Sequence, residues 1–227
     1  MEHYLYLIID LATLSIPFMA SFYPKHAYYK RWKCLFPSLM IVGILFLIWD
    51  AYFTKIGVWG FNERYLTGIK VFTLPLEEVL FFLCIPYSSV FIFFSLDYLL
   101  KKDPLYRIHK YITYLLIILS IVLLGQYYDR WYTVSTFGLL LLYLVYHVYR
   151  KTYLGRYYVS YAVTLVFFFV VNGILTGSWI DAPVVWYNNE ENMALRLGTI
   201  PFEDMFYGFL LIALVLDGFQ YLRKNRH

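Results

Sequence analysis

Seven long apolar runs leave this chain few ways to fold. They cover Tyr4–Phe22, Leu35–Thr54, Leu76–Leu100, Tyr111–Gln126, Trp131–Tyr149, Tyr157–Gly177 and Phe202–Leu222. Most approach the ~20 residues that carry an α-helix across about 30 Å of hydrocarbon, and the fourth is the shortest. A backbone in lipid has no water to bond, so such runs close their hydrogen bonds internally as helices. The expected fold class is therefore all-α, a polytopic membrane protein with about seven transmembrane helices. Composition agrees, with 61% hydrophobic and only 15% charged residues and a mean hydropathy of +0.60. A soluble domain carries about 25% charged residues. Only Glu2 and His3 precede the first run, and no small-residue cleavage pattern follows it. It reads as a retained anchor rather than a signal peptide. The polar connections are too short for a soluble domain.

The basic residues set the expected orientation. With seven spans and an outside N-terminus, the inside segments hold Lys25, Lys30, Arg31, Lys33, Lys101, Lys102, Arg107, Lys110, Arg150, Lys151, Arg156, Arg223, Lys224 and Arg226. Lys55, Arg64, Lys70, Arg130 and Arg196 fall outside. Cytoplasmic segments are the ones enriched in Lys and Arg, so the C-terminus is expected in the cytoplasm. The net charge of +4 is thus a topology signal. The cations form no stripe of the kind nucleic acid needs, so no nucleic-acid partner is expected. Cys34 and Cys84 show no metal-type spacing, and no metal site is expected.

An internal repeat organises the chain. Residues 59–82 read WGFNERYLTGIKVFTLPLEEVLFF and residues 186–209 read WYNNEENMALRLGTIPFEDMFYGF. Both contain Trp-x-x-Asn-Glu, as Trp59, Asn62, Glu63 and as Trp186, Asn189, Glu190. Twelve or thirteen residues after the Asn comes Pro-x-Glu-[Glu/Asp], then an aromatic: Pro75, Glu77, Glu78, Phe81 and Pro201, Glu203, Asp204, Tyr207. A polar residue, Asp50 or Asn172, falls near the end of the preceding span in each half. The reading is two three-helix repeats, 1–102 and 128–227, joined by a linking segment, 103–127, that holds the fourth span. Three spans reverse the side of the membrane and the fourth restores it. The repeats are therefore parallel, and duplicated halves commonly enclose a site at their interface.

The acidic motifs have two readings. A proline suits the first turn of a helix, and carboxylates there are favoured by the helix dipole. Against simple capping, both pairs run straight into apolar sequence, and ionisable groups in membrane spans are costly enough to be functional candidates. Adjacent residues sit about 100° apart on a helix, so one carboxylate of each pair can face the interior while the other caps. Two carboxyls in one apolar site supply the acid and base that proton-transfer chemistry needs. Trp59 and Trp186 are either interfacial belt residues or part of the site. Asn62, Glu63, Asn189 and Glu190 are either solvated loop residues or a segment that folds over the pocket and orients the acids. Aromatic residues make up 22% of the chain. Most fit belts and bundle packing. Some would line a pocket for a flat polyene and stabilise a cation over their faces. Phe81, Tyr87, Phe206 and Tyr207 lie nearest the acids along the chain. Asp10 is either a bundle hydrogen-bond residue or a member of the site. Asp97, His147 and Asp217 sit near span ends and read as topological.

The segments Pro75-Leu76-Glu77-Glu78-Val79-Leu80-Phe81 and Pro201-Phe202-Glu203-Asp204-Met205-Phe206-Tyr207, set in three-span halves, resemble the membrane lycopene cyclases of the heterodimeric type. The chain looks like a fusion of the two small subunits of that family, over nearly its whole length. Asp204 stands where the first copy has Glu78, and Tyr207 where it has Phe81, so the halves can divide their roles unequally. The resemblance implies a lycopene β-cyclase, an isomerase of carotenoid biosynthesis that works without net redox change. A proton adds to the terminal C1=C2 bond, the C5=C6 bond attacks the cation, and loss of the C6 proton leaves a β-ring. Glu77, Glu78, Glu203 and Asp204 are its implied catalytic groups. Asp50, Asn62, Glu63, Phe81, Asn172, Asn189, Glu190 and Tyr207 are the expected lining or orienting residues. No dinucleotide fingerprint is present, so no cofactor is expected. Expected partners are lycopene or a related carotenoid, membrane lipid and other carotenoid enzymes. The competing class is a carrier or channel that relays protons or ions through the repeated carboxylates. A retinal protein would need a lysine in the last span, and Phe202–Leu222 has none.

Overall fold

The computed structural model describes residues 2–225; Arg226, assigned above to an inside segment, lies outside them. Seven helices carry the apolar runs: α1 (Leu5–Ala20), α2 (Trp32–Ile56), α3 (Leu76–Leu99), α4 (His109–Gln126), α5 (Trp131–Tyr149), α6 (Gly155–Leu175) and α7 (Phe202–Lys224). With the 3-10 turn Glu2–Tyr4 that leads into α1, all seven are long and apolar enough to cross a membrane. Large apolar side chains such as Ile16, Leu45, Ile48, Leu115 and Leu142 stand exposed along them. Apolar surface on that scale is what lipid contact requires.

α3 and α7 form the centre. α1 packs on α3 and α5 on α7, whereas α2 crosses to α7 and α6 crosses to α3. The second helix of each half thus docks on the third helix of the other, and neither half closes a core alone. α4 lies outside this exchange and packs on α5. The crossing of α2 and α7 is close: Ser38 Oγ donates to the Val215 carbonyl at 2.7 Å, and a Cβ on Gly218 would fall 2.4 Å from that hydroxyl.

The connections that precede α3 and α7 add short strands to the helical bundle. β1 (Trp59–Phe61) pairs antiparallel with β4 (Val185–Tyr187). β2 (Lys70–Val71) pairs with β3 (Leu74–Pro75), and β5 (Arg196–Leu197) with β6 (Ile200–Pro201). The β1–β4 ladder ties the two halves together at one end of the bundle, with Gly60 opposite Trp186 at its centre. A Cβ on Gly60 would fall 2.3 Å from the Trp186 ring, so the ring lies against bare backbone there.

The two-fold relation of this ladder corrects the alignment of the repeat. The Asn62 N–H donates to the Val184 carbonyl and the Asn188 N–H to the Val58 carbonyl, both at 2.8 Å. The Asn62 side chain accepts from Arg64 N and that of Asn188 from Glu190 N, each two residues on. The partner of Asn62 is therefore Asn188, not Asn189. The Asn-to-Pro spacing then becomes thirteen in both halves. At the helix ends before the ladder, Val58 N donates to the Phe53 carbonyl and Val184 N to the Leu175 carbonyl, so α6 is set four residues further from its strand than α2 and Asp50 corresponds to Asn172. Trp59 and Trp186 are not equivalent. Trp59 is 5% exposed and Trp186 is 45% exposed, and only the second behaves as a belt residue.

Candidate active site

Pro75 and Pro201 sit at the N-caps of α3 and α7, with extended backbone at φ −60° and −55°. Each acidic pair thus occupies the first turn, where free N–H groups favour negative charge. All four carboxyl groups are nonetheless buried, at 0% for Glu77 and Glu203, 7% for Glu78 and 4% for Asp204. The roughly 100° step between neighbours sends the members of each pair to different places.

The first acid of each pair holds the preceding connection. Glu77 Oε1 accepts from Thr67 N at 2.6 Å. Glu203 Oε1 accepts from Met193 N at 2.8 Å and from the Thr133 hydroxyl at 2.6 Å. Neither borders the cavity between the halves.

The second acid of each pair does border it. Glu78 Oε2 accepts from the Tyr6 hydroxyl at 2.6 Å. Asp204 accepts from Tyr132 on Oδ1 at 2.6 Å and from Tyr187 on Oδ2 at 3.0 Å. Tyr6 and Tyr132 are related by the 126-residue offset that separates Pro75 from Pro201, so the tyrosine–carboxylate pair is built twice. Tyr187 has no such twin, because Phe61 occupies its place. Burial, then the neighbouring Asp204, pushes the Tyr187 phenol well above its ordinary range. A third carboxyl, Asp50 of α2, accepts from Trp59 Nε1. Asn172 stands in its place in the second half and has no carboxyl to offer.

These groups enclose a cavity of about 70 Å³. Its wall includes Asp50, Glu78 and Asp204, and no Lys, Arg or His among the described residues. Phe81, Phe82, Trp59, Phe61, Tyr132, Tyr187 and Tyr207 supply ring surface, and Asn172, Phe168 and Thr176 come from α6 or its end. Of the expected residues, Asp50, Phe81, Asn172 and Tyr207 line the cavity alongside Glu78 and Asp204. Tyr87 and Phe206 do not.

The expectation that Asn62, Glu63, Asn189 and Glu190 fold over the pocket does not match their positions. Glu63 is exposed and meets Lys70 at 3.2 Å. Asn189 and Glu190 are exposed, and Asn189 accepts from Arg196 at 2.7 Å. Asn62 caps its own turn. Tyrosines and Trp59 contact the acids in their stead. Tyr6 and Tyr132 were missed because the repeat was traced only through the motif segments. The 126-residue offset, carried back into the first and fifth spans, finds both. Asp10 is fully buried, outside the cavity, with no partner on either oxygen among the described residues. Asp217, read above as topological, accepts from Tyr157 at 2.7 Å and lies 2.9 Å from His147 Nε2.

Comparison with known proteins bears on this site. The family model described as lycopene cyclase matches the chain twice, at residues 3–96 and 129–222. Three fungal proteins, each a bifunctional lycopene cyclase/phytoene synthase, match shorter stretches. The one from Pyrenophora tritici-repentis is 36% identical over 59 residues, 26% of this chain and 9% of the relative. That from Phycomyces blakesleeanus is 45% identical over 64 residues, 27% and 10%. That from Aspergillus niger is 29% identical over 100 residues, 42% and 16%. The chain thus spans only a small part of the curated relatives it matches. No solved structure matches it.

Proposed function

Since the chain belongs to the lycopene cyclase family, we propose that it closes the open ends of lycopene or a related linear carotenoid into rings by acid–base chemistry. The observation that carries this reading is the aromatic cavity between the halves, which has three carboxyls on its wall and no cation. Burying three uncompensated negative charges together is very costly, so at least one carboxyl keeps its proton. Glu78 is the donor in this reading, because Tyr6 occupies only one of its oxygens. Its proton passes to C2 of the terminal double bond and leaves a tertiary cation at C1. Attack by the C5=C6 bond forms the ring and moves the cation to C5. Asp204, held by two tyrosine hydroxyls in the manner of an ionised carboxylate, faces that charge and takes the proton from C6. The aromatic faces of Trp59, Tyr132 and Tyr207 add cation–π attraction. Return of the proton to Glu78 resets the site, and no redox change occurs. Glu77 and Glu203 position their partners by fixing the connections.

At about 70 Å³ the cavity is less than half the ~150 Å³ that takes up benzene, too small for a ten-carbon end group. Substrate therefore enters by displacement of a wall. Lipid supplies the route for a substrate that dissolves only there. The basic end of the bundle lies in the cytoplasm, which leaves the N-terminus and the carboxylate end outside. Other carotenoid enzymes are natural neighbours in the same bilayer.

The test is pigment chromatography of a lycopene-accumulating bacterial host that expresses the chain, beside Glu78→Gln, Asp204→Asn and the exposed control Glu63→Gln. Cyclised product from the parent and the control, absent from the first two, is the expected result. Cyclised product in both cavity variants would remove Glu78 and Asp204 from the chemistry. Unchanged lycopene with well-expressed parent protein would overturn the assignment of lycopene as substrate.

A further inference from the structure

At the end of the bundle away from the carboxylates, the start of α4 and the α5–α6 connection enclose a cleft of about 690 Å³. Arg107, Lys110 and Lys151 line it, and no carboxylate does. None of these three cations forms an ion pair among the described residues, although Arg64, Lys70, Arg130 and Arg156 elsewhere do. The backbone adds to the positive field. α4 begins without a side-chain cap, and the N–H groups of Lys110 and Tyr111 have no backbone partner among the described residues. Such a terminus attracts anions. In the cleft wall, His147 is 4% exposed, with Nε2 on Asp217 and Nδ1 unpartnered. Lys151 holds a left-handed backbone at φ 52°, at a helix end where glycine is the usual occupant.

Several unpaired donors around one cleft suit an anion with several acceptor oxygens, as a phosphate has. The surface next to the cleft narrows the source. Tyr111, Tyr114, Leu115 and Ile118 follow one face of α4 away from it and are 51–74% exposed. A free phosphate has no use for that strip, whereas acyl chains do. Basic pockets between membrane helices at the headgroup level bind anionic lipid. We propose that this cleft holds the phosphate headgroup of an anionic phospholipid, with its chains along α4. The lipid clamps α4, which has no counterpart in either repeat, against α5.

The full chain is purified, and lipid retention is measured by native mass spectrometry in mixtures of phosphatidylglycerol and phosphatidylcholine. The comparison is the triple variant Arg107→Gln, Lys110→Gln, Lys151→Asn, with Asn chosen because it tolerates the left-handed backbone. One phosphatidylglycerol per parent chain is expected. Its affinity falls about a hundredfold in the variant, while phosphatidylcholine uptake is unchanged. If the triple variant fails to fold, Lys110→Gln alone should lose about fivefold. Equal retention of the two lipids by the parent, or undiminished phosphatidylglycerol binding by a folded variant, overturns the proposal. Displacement of the lipid by micromolar inorganic pyrophosphate would also overturn it, in favour of a soluble phosphate ligand.

Discussion

Replacing Tyr132 by Phe removes one oxygen from a buried contact and little else. The ring is packed between Trp59 at 5.0 Å and Tyr187 at 6.0 Å, centroid to centroid, and Phe keeps both contacts. What is lost is the 2.6 Å hydrogen bond to Asp204 Oδ1. Tyr187 at 3.0 Å remains as the donor to the other oxygen. A hydrogen bond to a charged group is worth about 1.5–3 kcal/mol. If Asp204 carries the negative charge that faces the ring cation, ring closure should slow by about 10- to 150-fold at ~1.4 kcal/mol per decade. The assay is the initial rate of cyclised pigment formation by purified protein in lycopene-loaded liposomes, normalised to folded protein. The decisive comparison is a double-mutant cycle. The Tyr132 hydroxyl acts only through Asp204 in this scheme and Phe keeps the ring face, so Tyr132→Phe should cost almost nothing in an Asp204→Asn background. Additive losses would refute the scheme, as would parental rates in Tyr132→Phe alone.

Two further outcomes follow from the packing and the anchoring acids. Gly218→Ala should destabilise the α2–α7 crossing by about 1–3 kcal/mol, because its methyl meets Ser38 Oγ at 2.4 Å; the pair Gly218→Ala, Ser38→Ala should recover most of the loss in a detergent melt. Glu203→Leu should lower the thermal midpoint more than Glu77→Leu, since it leaves two protein donors without their Oε1 acceptor where Glu77→Leu leaves one; equal midpoints would refute that ordering.

Much of the bundle was legible in the chain itself. Each apolar run became a helix with ends within a few residues of those read from hydropathy, because lipid allows a continuous apolar segment almost no other state. The duplicated Pro-x-Glu-[Glu/Asp] segments were equally plain, since a proline and two acids at the mouth of an apolar run stand out against their surroundings. The division of labour within each pair was foreseen only as a possibility. Which acid faces inward depends on where the neighbouring helices lie.

Tertiary structure alone decided the rest. The two Trp-x-x-Asn-Glu segments match by letter at one offset, yet the β1–β4 ladder pairs their backbones at another, and Asn188 rather than Asn189 is the partner of Asn62. Backbone hydrogen bonds set that register, and side-chain identity does not constrain them. Asp50 meets the cavity beside Asp204, far away in sequence, because α2 crosses to α7 of the opposite half. Local composition determined that this chain is a set of membrane helices bearing repeated acids. The exchange of helices between the halves decided which acids share one cavity, because that contact is made between segments that no local pattern connects.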